Sequence, residues 1–244
     1  MLKNILRTAS QKLIGFENYL FFFSLINIAR IRVGGYEKEF KHFLGLIPEN
    51  GIILDIGANI GIMTVLFAKT SPKTTIYAVE PIPQNRQALK RVITHFQLKN
   101  VEVINTALGD RNGNISMIMP RVNHANMQGL CHVIEADRKE MAGEICEVLM
   151  QKMDDIPILK NLDRIDAIKI DVENYEYFVL KGGQTLLAKH RPLMYCELWN
   201  DERRKLCIEF MQNLGYQVMI YKKGELIKYN GQEITNFFFL PCVV

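Results

Sequence analysis

A short glycine turn and a nearby acid have the residue types of a nucleoside site. The turn reads Gly57-Ala58-Asn59-Ile60-Gly61 and lies between an apolar run and a segment with helical spacing. Glycine lets the backbone bend tightly and approach another group closely, and free amides at a helix start favour anionic ligand groups. Glu80 ends the next apolar run, where a carboxylate can accept two hydrogen bonds from a ribose diol. Together they predict nucleoside binding.

The spacing of the glycines bears on which nucleoside cofactor is bound. A dinucleotide requires the pattern G-x-G-x-x-G, whereas here Asn59 stands between Gly57 and Gly61. S-adenosylmethionine has no pyrophosphate, so a looser turn suffices for it. We therefore predict S-adenosylmethionine, and an NAD-dependent oxidoreductase is the less favoured alternative. Asp55, at the end of the first strand, is predicted either to position the turn or to contact the amino group of the cofactor.

Three acids follow later strands and could take part in proton transfer. Asp171 and Glu173 end one predicted strand, and Glu197 ends the next. Because ligands bind at the carboxyl ends of strands in open α/β sheets, these carboxylates could contact the ligand or accept a hydroxyl proton. Alternatively, they cap helices, form salt bridges, or hold a divalent cation, although no spacing requires a metal and none is predicted. The salt-bridge partners considered are Lys169, Lys181 and Arg191.

Two histidines offer another candidate base. His124 and His132 lie in a polar stretch, residues 121–143, that is longer than most structureless loops. The functional interpretation is a histidine base, and the structural alternative is a histidine in a solvated loop. Residues 114–119 and 145–151 flank the stretch and are predicted strands. We expect a β-hairpin-like insertion over about residues 112–152 whose tip covers a site.

Elsewhere strands and helices alternate, which predicts an α/β fold with a doubly wound, mostly parallel sheet. Residues 217–221 and 236–240 are the last predicted strands and can pair antiparallel, since no strong helix separates them. The other predicted strands are residues 52–56, 75–79, 101–108, 167–172 and 193–199. The predicted helices are residues 60–69, 84–97, 175–189 and 202–213, with an earlier one from residue 36 to 44.

The N-terminal region is predicted to be helical and to pack through its apolar residues. Residues 19–29 form an apolar run that is shorter than the roughly 20 residues of a spanning helix, so no transmembrane span is expected. We expect this helix to pack on the domain, on a partner subunit in a homodimer, or on a membrane surface. The chain is accordingly divided into an N-terminal helical region, residues 1–50, and a domain over residues 51–241.

Composition excludes several classes of protein. The net charge is +4 and no long basic run occurs, so a nucleic-acid partner is not expected. The five cysteines are odd in number and form no C-x-x-C pair, which argues against a disulfide framework and against a zinc site. A reduced, cytoplasmic compartment is the expectation.

Four stretches carry a more specific pattern. They are residues 54–61 (LDIGANIG), 78–83 (AVEPIP), 105–110 (NTALGD) and 168–173 (IKIDVE). In this order they resemble the FkbM-type family of class I S-adenosylmethionine-dependent methyltransferases, over roughly residues 36–241. The resemblance implies a seven-stranded Rossmann-like sheet, S-adenosylmethionine as methyl donor and S-adenosylhomocysteine as product. It also implies O-methylation of a hydroxyl on a sugar, a glycan or a small hydroxylated metabolite.

The predicted site combines the motifs with this resemblance. The predicted cofactor-binding residues are Asp55, Gly57, Asn59, Gly61, Glu80, Pro81, Ala107 and Asp171. The predicted catalytic residues are Asp171, Glu173 and Glu197. One departure matters, because the family usually continues D-V-E with glycine, whereas Asn174 and Tyr175 follow here. Asparagine tolerates a left-handed backbone, so we expect the turn to be kept. A non-catalytic nucleoside-binding module is the alternative that this departure leaves open.

Overall fold

The computed structural model describes residues 2–32, 38–135 and 142–242, which fold around an eight-stranded sheet. The strands are β1 (Ile52–Ile56), β2 (Thr75–Val79), β3 (Val101–Ile104), β4 (Ala107–Leu108), β5 (Gly113–Val122), β6 (Ala125–Asn126), β7 (His132–Val133), β8 (Gly143–Gln151), β9 (Ala167–Ile170), β10 (Leu193–Glu197), β11 (Tyr216–Lys222), β12 (Glu225–Lys228) and β13 (Asn236–Pro241). The helices are α1 (Leu2–Ile14), α2 (Phe16–Arg32), α3 (Lys38–Leu46), α4 (Ile62–Thr70), α5 (Pro83–His95), α6 (Pro157–Lys160), α7 (Glu176–Gly182), α8 (Gln184–His190) and α9 (Glu202–Asn213).

The main sheet is mixed, in the order β12-β11-β13-β10-β9-β1-β2-β3. The five strands from β10 to β3 are parallel, as predicted, and β11 pairs antiparallel with β13, as predicted. The count of seven strands is wrong because β12, which the sequence analysis did not identify, pairs antiparallel with β11 at the edge. The parallel part places the carboxyl ends of β1, β2 and β9 side by side, where open α/β sheets bind ligands.

Side chains of the central strands pack on both faces of the sheet. Leu54 belongs to the core between the sheet and helices α7–α9, whereas its neighbour Ile53 packs against α3 and α4. This alternation follows from the two-residue period of a strand. Burial on both faces explains why these strands read as continuous apolar runs. On the α3 side, Phe40 and Phe43 contact Phe67 in a fully buried aromatic cluster.

Two predicted elements are each divided in the structure. Residues 101–108 form two strands, since β3 stays in the main sheet whereas β4 leaves it and pairs with β8. Residues 175–189 form two helices, α7 and α8, which are separated at Gly183. Adjacent glycines at 182 and 183 explain this break, because glycine has low helix propensity. They also allow close packing on Gly109 and Met153.

The insertion is a long hairpin, as predicted. Strand β5 pairs antiparallel with β8 from Gly113↔Met150 to Pro120↔Gly143. With β4 and β6 these strands form a second sheet, and β7 pairs with β5. A 3₁₀ turn at Gln128–Leu130 folds back over the main sheet. Residues 136–141 of the predicted polar stretch lie outside the described residues.

The N-terminal helices pack against the rest of the chain. Leu20, Ser24 and Ile28 of α2 are buried, and the Ser24 hydroxyl lies 2.9 Å from the Ile60 carbonyl oxygen. Helix α3 begins at Lys38, and residues 36 and 37 of the predicted helix lie outside the described residues. In the described part of the chain, no helix has both the length and the apolar content to cross a membrane. The division into two regions at residue 50 stays a prediction.

Candidate active site

The glycine turn bends between β1 and α4 through three residues with positive φ. These are Gly57 (φ 75°), Asn59 (φ 51°) and Gly61 (φ 86°). A Cβ at Gly57 would collide with the backbone carbonyl of Asp171, and one at Gly61 would lie 2.7 Å from Leu89 Cδ1. The close approach that the glycines permit is therefore that of the protein's own β9 and α5. These two positions therefore do not demonstrate the close approach of a ligand that the sequence suggested.

Glu80 braces the turn from the end of β2. Its Oε2 accepts a hydrogen bond from the Asn59 amide (2.8 Å), and its Oε1 accepts one from the Ile82 amide (2.9 Å). The side chain is buried, and burial raises the pKa of Glu80 to about 7 although these amides favour the charged form. Each carboxylate oxygen keeps a further lone pair. Glu80 can thus hold the turn and still accept hydrogen bonds from a ligand.

A cavity opens beside Glu80. It lies between the carboxyl ends of β1, β2 and β9 and the insertion. Its lining residues are Gly57, Asn59, Glu80, Pro81, Ile82, Asn85, Met117, Gln128, Gly129, Cys131, Asp171, Val172 and Glu173. Four of these come from the insertion, so the insertion covers one side of the cavity.

Three buried amide oxygens make the cavity suitable for a ligand rich in hydrogen-bond donors. Asn59 Oδ1, Asn85 Oδ1 and Gln128 Oε1 have no hydrogen-bond partner among the described residues. Buried polar groups are normally paired. S-adenosylmethionine carries donors on its adenine amine, its ribose hydroxyls and its ammonium group, so these residues fit it. Asn85 and Gln128 were not predicted from the sequence.

A second, mainly apolar cavity adjoins the first. Both are lined by Gly57, Pro81, Met117 and Val172. Ala107, a predicted cofactor residue, lines only the second cavity. Pro81 and Ala107 thus lie where an apolar part of a ligand could extend from the Glu80 side.

A buried charge network lies beneath the turn. Asp55 Oδ2 accepts a hydrogen bond from the Thr64 hydroxyl (2.6 Å), and Asp55 Oδ1 lies 3.7 Å from Lys169 Nζ. Lys169 Nζ donates to the Gly57 carbonyl (3.0 Å) and lies 3.5 Å from Asp171 Oδ2. Asp55 is fully buried, which favours the positioning role over the contact role predicted for it. The sequence alone indicates Lys169 only as a salt-bridge partner.

The charges in this network shift one another's pKa values. Burial raises the pKa of Asp55, and the Lys169 ammonium only partly opposes this effect. For Lys169, burial acts to lower the pKa, but the carboxylates of Asp171 and Asp55 outweigh it, so the pKa is raised. Lys169 therefore stays protonated at neutral pH and holds the Gly57 carbonyl in place.

The structure brings the three predicted catalytic acids to two adjoining cavities. Asp171 and Glu173 line the cavity beside Glu80. Asp171 and Glu197 line a neighbouring cavity, together with Lys169 and Asn236. Burial and the carboxylates of Asp171 and Glu197 raise the pKa of Glu173 to about 8. An acid with this pKa is suited to exchange a proton near neutral pH.

The turn after β9 keeps its left-handed form without glycine. Glu173 has φ 56° and Asn174 has φ 74°, as expected for an asparagine that replaces glycine. The buried Glu176 carboxylate accepts hydrogen bonds from the amides of Val172 (3.1 Å) and Asn174 (3.3 Å). The Asn174 side chain donates to Asp201 (2.7 Å). Positive φ is uncommon for glutamate and is typical of functional sites when the surroundings impose it.

The two histidines of the insertion lie apart from these acids. His124 is exposed in the turn between β5 and β6, as the solvated-loop interpretation expects. His132 is buried, with Nδ1 2.8 Å from the Leu130 carbonyl oxygen. Neither lines the cavity beside Glu80. Within residues 2–32, 38–135 and 142–242, no group of three or more His, Cys, Asp or Glu could hold a metal ion.

A family model and several known proteins are similar to this chain. The family described as "Methyltransferase FkbM domain" matches residues 55–218. Methyltransferase 1 of Beauveria bassiana is 24% identical over 151 residues, which are 55% of this chain and 59% of that protein. The 2-O-methyltransferase NoeI of Sinorhizobium fredii is 29% identical over 175 residues, which are 68% of this chain and 70% of that protein. The chain thus spans about three fifths of the first relative and somewhat more of the second.

One solved structure shows the fold. The methyltransferase FkbM from Methylobacillus flagellatus KT superposes with a TM-score of 0.55 at 17% identity. The match covers 80% of this chain and 45% of that one. The mixed sheet with helices on both faces is accordingly that of a class I methyltransferase.

Proposed function

The chain belongs to the FkbM methyltransferase domain family, and on that premise we propose that it methylates a hydroxyl oxygen with S-adenosylmethionine. The proposed acceptor is a sugar, a glycan or a small hydroxylated metabolite. The observation that carries the proposal is the cavity that the Glu80 carboxylate and three amide side chains with unpaired oxygens line together with the acids Asp171 and Glu173. It combines acceptors for a nucleoside with a proton-accepting group.

The residues around Glu80 would hold the cofactor. Glu80 would accept hydrogen bonds from the ribose hydroxyls, and Asn59, Asn85 and Gln128 would accept from the remaining donors. When bound, S-adenosylmethionine supplies a methyl group on a positively charged sulfur, which needs no further activation. The contribution of the protein is to align this methyl group with the acceptor oxygen.

We assign to Glu173 the role of accepting the proton of the acceptor hydroxyl, with Asp171 beside it. In the proposed transfer a bond would form between the acceptor oxygen and the methyl carbon, the bond from that carbon to sulfur would break and leave S-adenosylhomocysteine, and the hydroxyl proton would pass to the Glu173 carboxylate. The raised pKa of Glu173, about 8, favours this role because a basic carboxylate accepts a proton more readily. Asp171, whose Oδ2 lies 3.5 Å from Lys169 Nζ, would orient the acceptor.

The neighbouring cavity supports a hydroxylated acceptor. Glu197 and Asn236 offer hydrogen-bonding groups there, and Tyr195 adds an aromatic wall. Polar groups beside an aromatic surface suit a molecule with several hydroxyls on an apolar ring. The name of the Sinorhizobium relative specifies methylation at an oxygen, which agrees with this choice of acceptor atom.

Calorimetric titration with S-adenosylmethionine, S-adenosylhomocysteine and NAD tests the cofactor. We expect both sulfur ligands to bind and NAD not to bind; the reverse pattern would reject the proposal. Turnover is then measured as S-adenosylhomocysteine release over a panel of sugars, oligosaccharides and hydroxylated metabolites. Binding without turnover on any acceptor would favour the non-catalytic module.

Two substitutions separate binding from catalysis. Glu173→Gln and Asp171→Asn are each expected to lower turnover much more than they weaken S-adenosylhomocysteine binding. Glu233→Gln is the matched control, because Glu233 is exposed on the surface away from the cavities. Wild-type turnover in the Glu173→Gln variant would show that Glu173 is not the general base.

A further inference from the structure

The positive charge of the chain is concentrated on three neighbouring helices. Helices α1, α2 and α5 carry eight Lys and Arg residues and one acid, Glu17, a net charge of +7, whereas the whole chain carries +4. The remainder of the chain is therefore negative, at −3. The eight basic residues are Lys3, Arg7, Lys12, Arg30, Arg32, Arg86, Lys90 and Arg91.

The same helices expose much of the apolar surface. Nine large hydrophobic residues are exposed in the described part of the chain, and five of them lie on α1 and α2. These five are Leu6 (59% exposed), Leu13 (86%), Ile14 (38%), Phe22 (50%) and Ile26 (52%). Scattered single apolar residues are normal on a surface, but contiguous sets mark interaction sites.

The exposed residues follow helical spacing on the outer side of each helix. Leu6 and Leu13 are two turns apart on α1, whose opposite side uses Thr8 and Gln11 to bond the insertion. Phe22 and Ile26 are one turn apart on α2, whose opposite side is buried on the core. The inner sides of both helices are therefore occupied, and the outer sides form the surface that we call the basic–apolar face.

A groove between α2 and α5 adds cationic groups beside Phe22. It is lined by Phe21 and by the basic residues Arg86, Lys90, Arg91 and His95, with Pro83, Gln87 and Thr94. The Arg91 guanidinium lies 4.5 Å from the Phe21 ring centroid, and the Phe21 and Phe22 rings are 5.5 Å apart. Helix α5 contains no acid. Exposed cations thus lie next to exposed aromatic and aliphatic side chains.

We propose that the basic–apolar face docks on an anionic lipid surface. Apolar side chains on an interfacial helix enter the headgroup region, and Lys and Arg beside them attract anionic lipids. A second copy of this chain is the other possible occupant. A two-fold dimer, however, would place this positively charged face against itself, so its charge favours a negatively charged partner. The proposal is independent of the methyltransferase function.

Co-sedimentation of the full chain with vesicles tests the proposal. The probes are phosphatidylcholine vesicles with and without phosphatidylglycerol, at low and high salt. We expect binding to the anionic vesicles, weaker binding to the neutral ones, and release by salt because salt screens the charges. Equal sedimentation with both kinds of vesicle, or none with either, would overturn the proposal.

Paired substitutions locate the docking face. Lys12→Glu with Lys90→Glu should weaken binding by at least about 30-fold, because each basic residue lost at an anionic surface accounts for roughly fivefold and each added acid is repelled by that surface. Phe22→Ser with Ile26→Ser should weaken it by at least about tenfold, because less apolar area enters the lipid. The controls are Lys228→Glu and Leu206→Ser, which change exposed residues of the same types elsewhere and should leave binding within about twofold.

Two measurements keep the outcome interpretable. Thermal melting of each variant establishes that the fold is kept. Light scattering after gel filtration gives the oligomeric state without lipid. A dimer that the Phe22→Ser, Ile26→Ser variant converts to a monomer would show that a second copy covers the face, and would overturn the lipid proposal. A wild-type monomer that sediments only with anionic vesicles supports it.

Discussion

Replacing Glu80 with glutamine removes the charge of the carboxylate at the end of β2 while keeping its size. The glutamine amide has only one oxygen, so it cannot accept from the Asn59 and Ile82 amides and also from two ribose hydroxyls as the carboxylate can. Hydrogen bonds to a charged group contribute roughly 1.5–3 kcal/mol. We therefore expect Glu80→Gln to weaken S-adenosylhomocysteine binding by about 10- to 150-fold at pH 8.

The pH dependence gives a second, independent number. The pKa of Glu80 is about 7 without ligand, and the hydrogen bonds to a ribose favour the ionised carboxylate. The protein must then lose a proton from Glu80 to bind. Between pH 8 and pH 6 the dissociation constant should rise by about tenfold from this residue alone.

Isothermal titration calorimetry at pH 6, 7 and 8 measures both effects. Glu173 also lines the cavity and titrates near pH 8, so only the difference between wild type and Glu80→Gln isolates Glu80. The variant should lose the tenfold change while any contribution of Glu173 remains. An unchanged dissociation constant at pH 8, or an identical pH slope in the two proteins, would refute a ribose contact at Glu80.

Three further predictions concern the stability of the free protein. Urea unfolding should show that Gly57→Ala lowers the free energy of unfolding by roughly 3 kcal/mol or more, whereas Gly231→Ala lowers it by about 1–2 kcal/mol. Both glycines have positive φ, but only a Cβ at Gly57 would collide with backbone atoms. Lys169→Met should cost about 3–5 kcal/mol because Asp55 is left charged and buried, and adding Asp55→Asn should recover part of it; no recovery would contradict the pairing. The free energy of unfolding should fall from pH 5 to pH 8.5, because Glu176 has a pKa of about 7 in the folded protein, above its unfolded value, and stabilises the fold only while it is protonated. Glu176→Gln should flatten this pH profile. Stability that rises with pH would contradict the prediction.

The order of strands and helices was predictable because apolar periodicity reports which residues are buried. The division of residues 101–108 was not, since β3 and β4 are both short and nothing local indicates that the chain changes sheets. Edge strand β12 was missed for a related reason. Its four residues are exposed or only half-buried, so they lack the continuous apolar signal of the central strands.

Site residues were predictable where they belong to a local sequence motif. They were not predictable where the fold brings distant segments together. Glu80 and Asp171 end strands, which is a local signal. Lys169 acquires its role because strand pairing sets it directly beside Asp55, 114 residues earlier in the chain. Gln128 lines the cavity from the insertion, and its backbone carbonyl accepts a hydrogen bond from the Asn85 side chain. Neither segment of the sequence indicates this contact.

Helix α1 grips the insertion from outside the cavity. Thr8 donates to the Asn123 carbonyl (2.9 Å), and Gln11 exchanges two hydrogen bonds with the backbone of Asn126, each 2.9 Å. The segment so held continues directly into Gln128, which lines the cavity. Without α1, that wall would lose conformational restraint, and a ligand would bear the entropy of ordering it on binding. Deleting residues 1–14 should therefore weaken S-adenosylhomocysteine binding although none of the deleted residues lines the cavity. In this sense the affinity of the site is set partly by a helix that does not touch the ligand.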